Sequence, residues 1–217
     1  MFSPLKGMNW ENKFYRMKIV LAGASGIIGG HLDRSWQNEH EIIRASTNKS
    51  EYTLDFTSLE SIREFLKQIH SFDALVITAG SAPLKPIAEL TAADFYEGFK
   101  SKLMGQINLV LEAQQHLSKN GVITLTSGIL SEDPIPNGTA LSTVNAALNG
   151  FVKAASQELI LKGKRLNVVS PGLLQDSAER LQGFFPGHHP VSAAKVVKAY
   201  EKSVFGQCNG EVIKVYQ

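Results

Sequence analysis

Cysteine is almost missing from these 217 residues, and Cys208 stands alone. A single thiol excludes an intrachain disulfide framework, and no Cys or His neighbours it at metal-ligand spacing; a reducing, cytoplasmic setting is the expectation. Long apolar runs are missing as well. No stretch approaches the roughly 18 residues a membrane span requires, so no membrane partner is expected. Nor is there a marked excess of either charge, since 22 Lys and Arg face 20 Asp and Glu for a net +2. The basic excess gathers at the start, where Lys6, Lys13, Arg16 and Lys18 outnumber Glu11. The remainder offers no basic stripe of the kind nucleic acid needs. Residues 1–16 lack the apolar stretch of a secretory leader and read as a flexible extension. The adjacent His188 and His189 would point apart on any regular element, so no metal is expected.

What the sequence does have is alternation. Lys18–Ala22, Glu41–Ala45, Tyr52–Asp55, Ala74–Thr78, Gly121–Thr126, Leu166–Val169 and Glu211–Val215 are short apolar or β-branched runs, each stopped by turn residues. Helical patterns lie between them. Ile27–Trp36 is one, and Ser58–Ile69 another, with Leu59, Ile62, Phe65, Leu66 and Ile69 at helical spacing. Thr91 with Asp94 three residues on reads as a capping box opening a long helix through Leu111, and a second long helix runs from about Gly138 to Leu161. Val191–Val204 is the last. Strands alternating with helices predict a single α/β domain over residues 17–217, a doubly wound parallel sheet of about seven strands with helices on both faces, of the Rossmann type.

The first βα turn reads Leu21-Ala-Gly23-Ala-Ser25-Gly26-Ile-Ile28-Gly29-Gly30. Gly23 would allow the tight turn, Gly26 would let backbone N–H groups approach a pyrophosphate, and Gly29 would let helix pack closely on strand. Ser25 and Ile28 lie within the same loop and first helical turn. A dinucleotide is therefore the expected ligand. Binding of NAD commonly uses an acidic residue at the end of the second strand to hold the ribose 2′-hydroxyl. Here that stretch is Ser46-Thr47-Asn48-Lys49, with no carboxylate before Glu51. Hydroxyls and a lysine suit a 2′-phosphate, so NADP(H) is expected ahead of NAD(H).

These strings, with Asp55, Thr78-Ala79-Gly80, Asn145-Ala-Ala-Leu-Asn-Gly-Phe-Val, Ser170-Pro171-Gly172 and Asn209–Val215, resemble the short-chain dehydrogenase/reductase family from about Lys18 to Val215. The resemblance implies that Asp55 contacts the adenine, Ala79 and Gly80 the adenosine ribose, and Pro171 and Gly172 the nicotinamide side. It also implies a homo-oligomer formed through the two long helices, and a small-molecule substrate. The family's usual chemistry uses Asn, Ser, Tyr and Lys: the tyrosine protonates the substrate oxygen as hydride arrives, and the lysine lowers its pKa and holds the nicotinamide ribose. Aligned through Asn145-Ala-Ala-Leu-Asn-Gly, this chain has Leu141 at the tyrosine position and Asn145 at the lysine position. No tyrosine occurs between Phe99 and Tyr200, so no small shift restores the pair.

Ser127 matches the family's serine, and Lys102 occupies the place of its asparagine. A partly desolvated lysine beside an oxidised nicotinamide would have a lowered pKa and could serve as acid or ribose clamp; otherwise Lys102 is a solvated helix residue. Ser127 is either a substrate-oxygen ligand or a turn cap. Glu132 and Asp133 read first as a solvated loop and second as acid/base groups. Phe184–His189 reads as a mobile apolar lid or as a subunit contact. The expected function is carbonyl reduction or alcohol oxidation with a nonstandard proton donor. The alternatives are a non-redox enzyme on the same scaffold and a cofactor-binding sensor.

Overall fold

The computed structural model describes residues 16–48 and 50–217, so the expected extension lies outside the described residues except for Arg16. Among the described residues seven strands are formed: β1 (Lys18–Ala22), β2 (Glu41–Ser46), β3 (Tyr52–Thr53), β4 (Phe72–Ile77), β5 (Leu117–Thr126), β6 (Arg165–Pro171) and β7 (Val212–Val215). All pair in parallel, in the order β3-β2-β1-β4-β5-β6-β7. Winding runs outward from β1 to β3 and then returns across β1 to β4. The crevice between β1 and β4 is therefore the point where strand order reverses, and in open α/β sheets ligands bind outside the carboxyl ends of strands at such a point. Register aligns Ala22 with Ala45 on one side and Ile77 on the other, so three strand ends open together there.

Successive strand residues face opposite sides, and both sides are buried. Val20, Ile43, Leu75, Ile123 and Leu166 face one core, shared with α2 (Leu59–Ile69), α4 (Gly105–Ala113) and α5 (Thr139–Leu159). Ile19, Leu21, Val76 and Val169 face the other, under α1 (Ile27–Trp36) and α7 (Ala193–Phe205). Two shorter helices, α3 (Ala92–Gly98) and α6 (Gln175–Leu181), are also formed among the described residues. The doubly wound α/β expectation therefore holds. No helix among the described residues is long and apolar enough to cross a membrane.

The expected long helix after Thr91 is divided. Its capping box forms as read, with Thr91 and Asp94 exchanging side-chain to backbone bonds. The chain then widens into a π-helical stretch over Phe99–Met104 before α4 begins. Glycines flank the stretch on both sides, where side chains from other parts of the fold press in. A Cβ on Gly98 would lie 2.8 Å from Ala82 Cβ, and one on Gly105 would lie 2.3 Å from the Phe56 ring. Wide turns of this kind re-aim side chains and recur at functional sites. Lys102 sits inside this one.

Candidate functional site

The glycine loop is shaped by contacts no other residue would permit. Gly23 has φ +95°, a left-handed conformation open to glycine, and Thr78 Oγ1 holds its carbonyl at 3.2 Å. A Cβ on Gly29 would stand 2.2 Å from Gly23 O, so helix and loop touch backbone to backbone. Gly26 is the N-cap of α1, with no side-chain cap and no acid in the first turn. The first-turn N–H groups and the positive end of the helix dipole are thus left for an anion. This is the arrangement a pyrophosphate fits.

Beside the loop is a groove of about 160 Å³ lined by Gly23, Ser25, Gly26, Ser46, Thr47 and Ala79, with Leu54, Phe56 and Thr78 also contributing. Ile28 is half-buried in the first turn of α1 and packs on the core beneath the loop. Thr47 and Asn48 are exposed at the groove's rim, and the Ser46 hydroxyl is spent on the Asn48 carbonyl. Lys49 lies outside the described residues. Arg44 is held by Asp33, with Nε 2.9 Å from Oδ2 and the other nitrogen 2.7 Å from Oδ1. Asp55 accepts from Thr57 N at 2.9 Å and Thr57 Oγ1 at 2.7 Å, closing the turn into α2.

Lys102 lies against the chain leaving β4 and β5. It is 8% exposed, and its Nζ donates to Ser127 O at 3.1 Å. Burial pulls the ammonium from its ordinary 10.5 down to about 8, because a charged amine loses hydration there without gaining a counter-ion. Gly80, with φ +110°, packs its backbone directly on this side chain: a Cβ there would lie 2.7 Å from Lys102 Cα. Ser127 follows β5, with its N–H on Val169 O at 2.9 Å and its Oγ buried without a protein partner among the described residues. Gln106 fixes this strand end from α4, donating Nε2 to Thr126 O at 2.9 Å and accepting Thr126 N–H at 3.0 Å. Pro171 ends β6 next door, and Gly172, which follows it, donates its N–H to Val215 O at 2.8 Å.

Asn145, on α5, is fully buried against Gly128, and its Oδ1 also lacks a protein partner among the described residues. Leu141 packs with Ile129, Leu130, Ile135, Leu173 and Phe185 in an apolar cover over this end of the molecule. Within that cover, the Phe185 and His188 rings meet edge to face at 5.4 Å, and His188 Nε2 is 3.6 Å from Asp133. Glu132 turns outward to Lys214 at 2.7 Å. Tyr200 belongs to the other face of the sheet, where it shares a hydrogen bond with Thr126 Oγ1, and burial pushes its phenol upward.

Residues 20–199 match a family model described as enoyl-(acyl carrier protein) reductase, and a small-chain dehydrogenase solved with NADPH superposes with TM-score 0.82. The chain belongs to the short-chain dehydrogenase/reductase family. That NADPH-bound family member is 26% identical, with 92% of this chain and 96% of the other covered. The protein lin1944 from Listeria innocua is nearer in sequence, at 42% identity and TM-score 0.90, covering 92% of this chain and 100% of that one. Hydroxynaphthalene reductase arp2 of Aspergillus fumigatus is 27% identical over 161 residues, 71% of this chain. The chain spans 59% of that reductase's length.

Sequence reasoning did not single out Phe56 or Gln106 as site residues. Phe56 follows Asp55 directly, so its place in the groove had a local signal. Gln106 had none beyond helical position, because its partners are backbone groups brought up by β5.

Proposed function

We propose that this chain is an NADP(H)-dependent oxidoreductase of carbonyl and alcohol substrates in which Lys102 supplies the proton. The observation that carries the reading is a buried ammonium, lowered to about 8, bonded to the backbone of a serine whose own hydroxyl is uncommitted. Leu141 stands where the family places its tyrosine and has no proton to give. Bound NADPH would supply the hydride.

The chain's own residues divide the remaining work. Gly23, Gly26 and Gly29 shape the turn, in which the Gly23 and Gly26 N–H groups are spent on Ala45 O and Gly23 O, and the N–H groups of Ser25, Ile27 and Ile28 hold the pyrophosphate. Thr47 and Asn48 face the 2′-phosphate, the charge of the neighbouring Lys49 in the sequence suits it, and the lack of a carboxylate from Ser46 to Lys49 favours it over a bare ribose. Asp55 lies at the adenine end, Ala79 and Gly80 at the adenosine ribose, Pro171 and Gly172 at the nicotinamide side. Ser127 Oγ–H donates to the substrate oxygen, and Lys102 Nζ releases a proton to that oxygen as it becomes a hydroxyl. The apolar cover around Leu141 and Phe185 keeps bulk water away and opens to admit the substrate. Leu111 and Leu161, exposed on the outer side of α4 and just after α5, are where a second copy of the chain would pack.

Incubating the protein with NADPH and a panel of ketones and aldehydes tests the reading through loss of the nicotinamide absorbance. Oxidation that disappears in Lys102→Met while NADPH still binds is the expected result. Tight NADPH binding with no oxidation across the panel would overturn it and leave a cofactor-binding protein.

A further inference from the structure

Helix α6 is seven residues long, too short to persist without contacts to the rest of the fold. It opens an excursion of the chain, residues 175–190, whose two ends meet. Leu174 bridges Val191, Gln175 N donates to Val191 O at 3.0 Å, and Val191 N donates to Leu173 O at 2.7 Å. On its far side the excursion lays Phe185 into the apolar cover, with Ala178 and Leu181 packed against it, and His188 faces Asp133 at 3.6 Å. On its near side α6 meets two polar residues of α1, Arg34 and His31, to which the reaction assigns no part.

Arg34 and His31 stand three residues apart on α1 and share one face. A guanidinium can only donate, so the 3.0 Å bond from Arg34 makes His31 Nδ1 the acceptor and leaves the ring hydrogen on Nε2. That Nε2 donates to Asp176 Oδ1 at 2.8 Å. The guanidinium lies over Gly30, where a Cβ would stand 3.4 Å from Arg34 Nη1. The bond from His31 is the chief cause that holds the Asp176 carboxyl below its ordinary range. Asp176 also stands in the first turn of α6, where negative charge suits the helix dipole.

Helix α1 is also the element whose first turn is left open for an anion, starting from the uncapped Gly26. Leu174, the N-cap of α6, packs on the same core as Ala24 and Ile28 of the glycine loop. Helix α6 therefore has the cofactor helix on one side and the cover over the substrate end on the other. Taking the proposed NADP(H) site at the glycine loop as given, we infer that His31 ties these two together through Asp176, so that NADPH on α1 and the closed cover stabilise one another. Such a coupling is reciprocal: what the cover gains from bound NADPH, NADPH gains from a closed cover. His31 acts through Asp176 and exchanges neither hydride nor proton with the substrate, so it is a positioning residue.

Cleavage of the full chain by chymotrypsin after Phe184 and Phe185, with and without NADPH, tests the tie without turnover. Bound NADPH should slow this cleavage in the wild type and in His31→Gln, whose amide can accept from Arg34 and donate to Asp176. It should give little protection in His31→Ala and Asp176→Ala. From those two variants NADPH should dissociate about three- to fivefold faster than from the wild type, the scale of a half-exposed ion pair. The double variant should release it no faster than either single one. In turnover the same variants should raise the KM for the carbonyl by a like factor, with kcat within about twofold. A His31→Ala protein that melts normally, releases NADPH at the wild-type rate and keeps its protection refutes the tie, as do single effects that multiply in the double variant. A wild type that binds NADPH but oxidises none overturns the redox reading alone, because cleavage and release still decide the tie. A wild type that does not bind NADPH overturns the cofactor site and the coupling together.

Discussion

Replacing Lys102 with methionine should make the protein more stable and inactive at once. The side chain is 8% exposed, and its ammonium titrates at about 8 where an ordinary lysine titrates at 10.5. At about 1.4 kcal/mol per pKa unit, keeping this group charged in the folded state at neutral pH costs about 3 kcal/mol. The sign follows from linkage: between pH 8 and 10.5 the unfolded chain binds the proton that the folded chain has lost, so stability rises with pH across that window. Methionine is close in length and unbranched, and it removes the cost. It also leaves Ser127 O without the donor now at 3.1 Å, a loss of about 1 kcal/mol. The net gain is about 2 kcal/mol, or roughly 4–8 °C in Tm for a chain of this size. Differential scanning calorimetry at neutral pH and again near pH 10 checks it, because the advantage of the variant should shrink at the higher pH. A Tm that falls in Lys102→Met, or a difference that does not depend on pH, would refute the burial argument.

Other consequences follow from the cofactor groove. Thr47→Glu puts a carboxylate on the exposed rim, which should repel a 2′-phosphate and accept a ribose hydroxyl; isothermal titration should show NADPH affinity falling at least about tenfold, near 1.4 kcal/mol, while NADH affinity holds or rises. Equal losses for both cofactors would argue against a 2′-phosphate at this rim. Gly29→Ala sets a methyl 2.2 Å from Gly23 O, a backbone atom that cannot swing aside. About 3 kcal/mol of stability and all detectable NADPH binding should be lost, and a variant that melts and binds like the wild type would contradict the described helix–loop contact.

Most of the fold can be read in the sequence because its signals are local. Ile19 and Leu21 against Val20 and Ala22 already imply a strand buried on both faces, and Thr91 with Asp94 marks a helix start that the backbone forms as expected. Boundaries moved where other parts of the chain intervene. The third strand pairs only through Tyr52 and Thr53, because Asp55 turns its carboxylate to Thr57. The fifth begins at Leu117, ahead of Gly121, with a register shift against β4 between Phe72 and Ala74. Lys102 shows the limit of local reading. Its burial depends on a π-helical turn between two glycines that meet Ala82 and Phe56, and on Gly80 closing over it. None of those contacts is a pattern within the helix itself. Glu132 and Asp133, a solvated loop by sequence, are both exposed, with ion-pair partners in Lys214 and His188.

The pH dependence of a single turnover tests the central claim most directly. With NADPH bound and a reducible carbonyl in excess, the rate should be level at acidic to neutral pH. Above the Lys102 value of about 8 it should fall, approaching tenfold per pH unit as the ammonium is lost. The fall should be absent from whatever residual rate Lys102→Met retains. A wild-type rate that stays level to pH 10, or an identical fall in Lys102→Met, would mean that the proton comes from another group.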